Sequence, residues 1–514
     1  MQLNKLFIIN AHTLSIEWTF SFYKSIIFIG MMKKLLVLVS IIPLLCIAQK
    51  QGNIWYFGKQ VGLDFNSGYP AVITNGQTYS PDGTSVEGTA IISDSSGTFL
   101  FYTNGMKIWN RNQQVMPNGD NLMGSFSSTQ SALILPQPSS SRYFYVFTTD
   151  CFQNNLQNGL RYSVVDICLD SGSGDVIPNQ KNIKLLDTVA EKVTAVRHAN
   201  GIDYWIITHK YYSDAFYSYH LSSTGIIDTV ISHIGSRHPD IASNQQFAAA
   251  IGELKASPNG NKLAIVNGNA GAYVISEYFD FDKNTGAISN WINLQTNLAW
   301  QQQYYGISFS PDNSKLYIAC SVNHQGVYQF NLNAGNGNAD SVIASRTNIA
   351  TNNIGYYGLQ LANNGKIYIT KTGINMYLAI INNPNNPGVN CNFQDSAIYL
   401  NGDTCGFGLP NFIDSYNYSN TIDNCIMEGV NGVTISNTFS ISPNPFSSQT
   451  NITFNKETKH TTIKIMDMLG KVIKTKNFTG KQLTIEKGDM QAGVYFVQVI
   501  DEKKNVVNRK IVIQ

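Results

Sequence analysis

Apolar and polar residues alternate in short runs along most of the chain, and Gly, Asn, Asp or Ser separate the runs. Alternation with a period of two predicts β-strands joined by tight turns. A unit of strand, turn and strand is clear in six places, for example GISFSPDNSKLYIAC at 306–320. Successive turn residues are 44, 60, 59, 53 and 52 positions apart; they are Gly97, Ser141, Gly201, Gly260, Asn313 and Gly365. Repeats of this length are typical of β-propeller blades.

A second hairpin follows the first in several units, as in YSYHLSSTGIIDTVI at 217–231, which predicts four strands in each blade. A seventh unit, NIWYF at 53–57, lacks a first strand, whereas GLPNFI at 408–413 is a first strand without a second. Because an open array leaves unpaired strand edges, we expect GLPNFI to complete the unit of NIWYF. The predicted fold of 49–413 is therefore all-β, a closed seven-bladed β-propeller of the WD40/YVTN type.

The last eighty residues have a different pattern, which follows a polar linker at 414–436. Alternation is plain in TTIKIMDM, KVIKTK and VYFVQVI, and each run is bounded by Gly, Asn or Asp. This predicts a second domain at 437–514, a small Ig-like β-sandwich of about seven antiparallel strands.

Charge and length limit the possible partners of the protein and its number of domains. Charged residues are 13% of the 514 and the formal net charge is +2. No run of Lys or Arg is long enough to follow a phosphate backbone, so nucleic acid is not expected as a partner. The length predicts at least two domains, and we expect a monomer.

The segment MMKKLLVLVSIIPLLCIAQ places two lysines before an apolar run of 14 residues (35–48). As a helix this run is about 21 Å long, short of the roughly 30 Å hydrocarbon core of a bilayer. It predicts a signal peptide at 31–48, read by the Sec translocon and cleaved between Ala48 and Gln49. A transmembrane anchor is the alternative. Residues 1–30 are then an extension that precedes the true start codon.

Export would put the remaining cysteines in a compartment where disulfides persist. Nearest-neighbour pairing predicts Cys151 with Cys168 and Cys391 with Cys405, and Cys320 within a strand is expected to be a buried thiol. The absence of a CxxC pair argues against a zinc site.

The C-terminal domain closely resembles the type A C-terminal sorting domain of the type IX secretion system. The match runs from SPNPF at 442–446 through IMDMLGKV at 465–472 to GVYFV at 493–497 and KIVI at 510–513. The resemblance implies Sec export, outer-membrane translocation by the type IX machinery, and release or attachment to surface lipopolysaccharide. The protein would then be secreted or held on the cell surface. The motif residues are Pro443, Asn444, Pro445, Gly470, Gly493, Tyr495 and Lys510.

The first domain resembles the propeller module of gliding-motility-associated surface proteins of the Bacteroidota, in WYFG at 55–58, GLDFN at 62–66 and the terminal GLPNFI. That module has no agreed chemistry, so the resemblance implies location more than activity.

Sequence motifs for catalysis are missing from the first domain: it has no GxSxG, HExxH, P-loop or dinucleotide-binding loop. DFDKNTG at 280–286 has its glycine one place late for a calcium loop, and Trp291 stands where a bidentate Glu is needed. The histidines between 198 and 238 are expected to be solvent contacts. We therefore predict no metal and no cofactor, and we assign a catalytic role to no residue.

In a propeller, loops between blades share one face of the central channel with the loops between second and third strands. The predicted loops of this face are rich in aromatic and amide side chains, which suit a polysaccharide or a protein surface better than bond cleavage. A binding or adhesion module is the first hypothesis, and an extracellular hydrolase or lyase that uses His209, His238, Asp240 and Glu253 is the alternative. The candidate ligand residues are His209, Tyr211, His238, Asp240, Trp300, Tyr304 and His324.

Overall fold

The computed structural model describes residues 49–78, 86–238, 248–268, 275–295, 303–350, 354–372, 374–418, 439–467, 470–501 and 506–514. The predicted extension (1–30), the signal peptide (31–48) with Ala48, and most of the predicted linker lie outside these ranges, while Gln49 is inside. In the described part of the chain, no helix has both the length and the apolar character that crossing a bilayer requires.

The first half of the chain forms three small antiparallel sheets. The first sheet contains β1 (Ile54–Phe57), β2 (Val61–Asp64) and β3 (Ala71–Ile73), and the second contains β4 (Ala90–Ser93), β5 (Phe99–Thr103) and β6 (Ile108–Asn110). The third sheet contains β7 (Ala132–Pro136), β8 (Tyr143–Thr149), β9 (Leu160–Asp166), β10 (Asp175–Val176) and β11 (Ile183–Leu186). Their strands are short and nearly all buried, as expected for sheets that pack face to face.

Four further sheets follow, and each has four strands in chain order. The fourth contains β12 (Val189–Arg197), β13 (Tyr204–Lys210), β14 (Ala215–Ser222) and β15 (Gly225–His233). The fifth contains β16 (Leu254–Ala256), β17 (Lys262–Val266), β18 (Ser276–Phe281) and β19 (Ile288–Asn293). The sixth contains β20 (Gln303–Phe309), β21 (Lys315–Val322), β22 (Gly326–Asn331) and β23 (Thr347–Asn348), with the helix α1 (Ala339–Ala344) before its last strand. The seventh contains β24 (Tyr356–Leu361), β25 (Ile367–Lys371), β26 (Tyr377–Ile381) and β27 (Phe393–Tyr399).

The turn between the first two strands recurs with the same geometry in five of the six units found in the sequence. In each, the turn residue has a positive φ and its amide donates to the carbonyl three residues earlier, at 2.7–3.0 Å. A positive φ favours Gly or Asn, which explains why the repeat keeps these two residue types there. The five residues are Gly97, Gly201, Gly260, Asn313 and Gly365.

The first strands of successive sheets lie beside one another, from β4 to β7, β12, β16, β20 and β24. Sheets arranged radially in this way, each led by its first strand at the centre, form a β-propeller. Four strands per sheet hold for the last four sheets only, and the predicted count of seven blades stays a prediction.

The two ends of the propeller domain meet. The amide of Lys59 donates to the carbonyl of Thr404 at 3.4 Å, and the rings of Trp55 and Phe412 are 5.9 Å apart. The Trp55 ring also lies 5.5 Å from that of Tyr368 in the seventh sheet. The predicted contact between the mature start and the GLPNFI segment is therefore confirmed.

The backbone pairing predicted for GLPNFI is wrong in its details. Within the described residues no ladder joins it to Ile54–Phe57; instead Pro410 forms a parallel bridge with Thr89, and the Asn411 amide donates to the Thr89 carbonyl at 2.8 Å. Pro410 has no amide hydrogen, so it interrupts the ladder that the alternating pattern suggested.

The Asn411 side chain is buried and links three sheets. Its oxygen accepts from the Gln130 amide at 3.2 Å and the Lys255 ammonium at 3.3 Å. Its nitrogen donates to the carbonyls of Val193 at 2.8 Å and Ala132 at 3.1 Å. Because buried polar groups must find partners, this one side chain ties β7, β12 and β16 together.

The C-terminal domain is a five-stranded antiparallel sheet of β28 (Phe439–Ser442), β29 (Gln449–Met466), β30 (Val472–Glu486), β31 (Gly493–Ile500) and β32 (Val506–Ile513). The first half of β29 pairs with β28 and the second half with β31, while β30 follows both halves across two register shifts. Both halves of β29 enter one core. Within its described residues the domain has five strands rather than about seven, because NITF and TTIKIM are parts of β29 and the runs VIKTK and QLTIE are parts of β30.

Both predicted disulfides are wrong. Cys151, Cys391 and Cys405 are buried free thiols, and Cys168 is disulfide-bonded. Proximity in sequence misled the prediction, since Cys391 and Cys405, for example, pack in different apolar clusters. Cys320 is a buried thiol within β21, as predicted.

Candidate functional site at the channel mouth

Glycines bring the starts of several first strands into contact around the channel. A Cβ atom on Gly408 would lie 2.1 Å from the carbonyl oxygen of Glu87, and one on Gly306 would lie 2.1 Å from that of Tyr357. Only glycine permits such close backbone approach. The side chain before each glycine is thereby placed at the same end of the channel. We call these four residues the mouth residues: Glu87, Tyr305, Tyr357 and Phe407.

Three of the mouth residues form a continuous aromatic surface. The ring centroids of Tyr305 and Tyr357 are 5.3 Å apart at an interplanar angle of 69°, and those of Tyr357 and Phe407 are 4.8 Å apart at 55°. Tyr305 is buried, whereas Tyr357 and Phe407 are partly exposed. The surface therefore offers two rings to a ligand and a third that supports them.

Glu87 lies beside these rings and is also partly exposed. Its Oε2 accepts from the Tyr305 hydroxyl at 2.8 Å and its Oε1 from the Ser127 hydroxyl at 3.1 Å. Ser127 in turn accepts from the exposed Gln153 amide at 2.8 Å. Burial, with a contribution from the charge of Glu191, raises the pKa of Glu87 to about 8. The mouth thus contains an acid that can change protonation near neutral pH.

Two fully buried carboxyls lie below the mouth, and backbone amides hold them. Glu191 accepts from the Thr129 amide and hydroxyl at 2.9 Å and from the Phe152 amide at 2.8 Å. Glu253 accepts from the Ile307 amide at 2.9 Å. Burial raises the pKa of both, that of Glu253 to about 7. Each links neighbouring sheets, which is a structural role.

Lys192 is the cation of this buried layer. Its ammonium donates to the carbonyls of Ala250 and Ile251, the latter at 2.7 Å. Burial lowers its pKa to about 7, although the charges of Glu191 and Glu253 oppose the shift. Lys192 is wholly buried, so it belongs to the interior and not to the ligand surface.

The histidines proposed as ligand residues are not on the surface. His209 and His238 are buried, with stacked rings 3.9 Å apart. Burial lowers the pKa of both, that of His238 to about 3, so the pair is neutral. The expectation that they are solvent contacts was wrong, since strand β13 turns His209 inward. Nearly parallel rings cannot point their lone pairs at one metal ion, and the described residues contain no cluster of three or more metal-ligating groups.

The other predicted ligand residues are scattered. Tyr211 packs in a small apolar cluster with Leu156, and Tyr304 is buried in the core between the fifth and sixth sheets, so neither is available to a ligand. His324 is exposed, and its carbonyl accepts from the Tyr328 hydroxyl at 2.6 Å. Asp240 and Trp300 lie outside the described residues.

The ligand residues predicted from the sequence were expected in loops, whereas the mouth residues lie at the starts of strands. They stand at the beginnings of first strands, in EGTAI, YGISF, YGLQL and FGLPN. A large or acidic residue before a glycine at the same place in four units was a signal that could have found them. Gln153, in the loop at 148–159, is linked to the mouth because it donates to Ser127, which donates to Glu87, and the predicted ligand face stays a prediction.

A separate cavity of about 220 Å³ lies between the fourth and fifth sheets, at the opposite ends of their first strands. Arg197, Lys283 and Asp414 are among its lining residues. The Arg197 guanidinium donates to the carbonyls of Gly201 and Asn417. This cavity holds no aromatic surface, so it is the weaker candidate.

The sorting-motif residues have clear structural roles. The Asn444 side chain donates to the Lys510 carbonyl at 2.9 Å and accepts from the Val512 amide at 2.8 Å, which fastens the last strand. Gly470 has a positive φ in the turn closed by its amide to the Asp467 carbonyl. The Tyr495 hydroxyl donates to the Gln491 carbonyl at 3.1 Å.

Residues 440–514 match the family described as "Secretion system C-terminal sorting domain". The chain therefore combines a β-propeller with a C-terminal sorting domain of the type IX secretion system. It is a cargo of that system, which it engages through this domain, and it is secreted or attached to the cell surface.

Similarity to individual proteins is limited. An endo-acting ulvan lyase of Formosa agariphila is 36% identical over 73 residues, which are 14% of this chain and 14% of that protein. Among solved structures, a putative 6-phosphogluconolactonase from Bacteroides uniformis has 15% identity and a TM-score of 0.42, over 69% of this chain and 98% of that one. PorZ, a surface component of the type-IX secretion system of Porphyromonas gingivalis, has 9% identity and a TM-score of 0.29, over 90% and 74%. These scores carry no argument about activity.

Proposed function

We propose that this protein is an extracellular glycan-binding propeller whose ligand site is the channel mouth. The observation that carries the proposal is the surface formed by Tyr357 and Phe407 beside the Glu87 carboxyl. Aromatic faces stack on the apolar faces of sugar rings, while a carboxyl and an amide such as Gln153 bond their hydroxyls. Adhesion of the cell, or retention of polysaccharide near it, would follow from surface attachment.

Binding is favoured over cleavage because no pair of available carboxyls lies at the mouth among the residues that the structure describes. Glycoside hydrolysis needs two carboxyls that both reach the scissile bond. Glu191 and Glu253 are buried and accept backbone amides, whereas Glu87 is the one of the three that is partly exposed. The alternative residues His209 and His238 are buried and stacked.

The second candidate is a polymer-cleaving enzyme, and one observation favours it. A carboxyl with a pKa of about 8 beside the Tyr305 hydroxyl is suited to donate a proton near neutral pH. In that case Glu87 would act as a general acid on a polysaccharide held against Tyr357.

Glycan-array binding and a product assay on the same purified protein separate the two candidates. We expect retention of a subset of glycans without formation of reducing ends or unsaturated sugars, and Tyr357→Ala should abolish retention. Product formation that disappears in Glu87→Gln would favour the enzyme. The absence of any glycan binding or cleavage would refute both. Attachment to lipopolysaccharide and a monomeric state remain part of the proposal, to be checked on cells and by light scattering.

A further inference from the structure

Glu87 has no positively charged partner among the described residues. Both of its oxygens accept from neutral hydroxyls, those of Tyr305 and Ser127. The Lys192 ammonium donates instead to the carbonyls of Ala250 and Ile251. An ionised carboxyl in a partly desolvated place gains most from a nearby cation, and the part of the chain that the structure describes supplies none here.

The aromatic rings of the mouth lie at steep angles to one another. Angles of 69° and 55° between successive rings turn their faces in different directions. The Tyr357 ring is close enough to Glu87 for the carboxylate charge to raise the pKa of its hydroxyl, after the larger effect of burial. Ring faces attract ammonium groups, and the attraction grows when water is excluded. A carboxyl that accepts from the Tyr305 hydroxyl and lies next to further aromatic rings is therefore better suited to an ammonium group than to a neutral sugar.

We propose that the glycan bound at the mouth carries a protonated primary amine, held between the faces of Tyr357 and Phe407 and the Glu87 carboxyl, which releases its proton to solvent when the ammonium group binds. This inference rests on the proposed function and narrows its ligand to amino-sugar polymers. The groups that face Glu87 are Glu191, Tyr305, Tyr357 and Ser127, with Glu253 and Lys192 in the layer below. An N-acetylated sugar has the same ring but no charge, so it should bind less tightly.

Calorimetric titration of the full chain with two probes tests this: a tetramer of β-1,4-linked glucosamine and the fully N-acetylated tetramer, at a pH where the amine is protonated. The natural sequence should prefer the amine-bearing tetramer by about tenfold or more. Glu87→Gln should remove the preference, whereas the control Asp228→Asn, an exposed acid on β15, should keep it. Tyr357→Ala should weaken both tetramers, and the amine-bearing one more, because it also loses a ring face that attracts the ammonium group. A far-ultraviolet spectrum unchanged in Glu87→Gln would confirm that the variant is folded.

The outcomes distinguish a failure of the amine inference from a failure of the proposed glycan binding. Equal affinity for both tetramers, unaffected by Glu87→Gln but lost in Tyr357→Ala, overturns the amine inference and leaves glycan binding intact. Failure of both tetramers to bind overturns the inference, and if the glycan array is also blank the proposed function falls with it. Binding of a lysine-rich peptide in place of the amine-bearing tetramer also overturns the inference, because the ligand would then be a polypeptide.

Discussion

The Asn411 side chain makes four buried hydrogen bonds on the channel axis, so Asn411→Leu, which keeps the size, should weaken the ring. Gln130 and Lys255 would each keep another partner, the Leu254 carbonyl and the Gln360 amide oxygen. The carbonyls of Ala132 and Val193 would each lose a donor. At about 1 kcal/mol for each of the two bonds whose donors keep a partner, and about 1–3 kcal/mol for each of the two carbonyls, the cost is about 4–8 kcal/mol. That is a large part of the roughly 5–15 kcal/mol of a typical domain.

Urea unfolding followed by tryptophan fluorescence measures the effect as a lower midpoint at unchanged slope. The matched control is Asn390→Leu at an exposed position, where a change within about 0.5 kcal/mol is expected. If Asn411→Leu unfolds at the same urea concentration as Asn390→Leu, the side chain does not link the sheets and the reasoning about the closed ring is refuted.

Three further predictions concern pH, the sorting domain and the thiols. Burial raises the pKa of Glu253 from 4.5 to about 7, so its contribution to stability is complete below about pH 4.5 and lost as the pH rises through about 7. The urea midpoint should fall over that range, less so in Glu253→Gln; an identical pH profile in the variant would contradict this. Asn444→Ala removes two bonds to the last strand and should speed hydrogen exchange at the Val512 amide by about tenfold, and unchanged exchange would show that the side chain does not fasten the strand. Cys391, buried and free, should react with iodoacetamide only when urea unfolds the propeller; rapid reaction in buffer would place it at the surface.

The architecture was predictable because the repeat carries its own physical signs. Gly or Asn recurs where the turn needs a positive φ, and the spacing of those turns fixed the length of the unit. The sequence could not show that Pro410 would break the closing ladder or that Thr89 would be its partner. These depend on distances between segments about 320 residues apart, which no local pattern encodes. In the same way NITF and TTIKIM read as two strands, although β29 continues through the bulges between them.

The candidate site was harder to predict, because its members come from four segments that are far apart in the chain. Histidine and tyrosine in loops looked available, yet His209 and Tyr304 face inward, and burial depends on how the sheets pack. In the sequence, the residues that precede these glycines are ordinary strand residues. The close backbone contacts of the glycines are what place them around one opening. The cysteine pairs failed for a related reason, since pairing needs a Cα separation of about 4–7 Å that spacing in the chain does not reveal.

A crystal structure of the protein soaked with the glucosamine tetramer tests the ligand site most directly. We expect density for one sugar stacked on Tyr357 or Phe407, with its amine within hydrogen-bond distance of the Glu87 carboxyl. Sugar density in the cavity beside Asp414, with the mouth residues unoccupied, would contradict the assignment of the site.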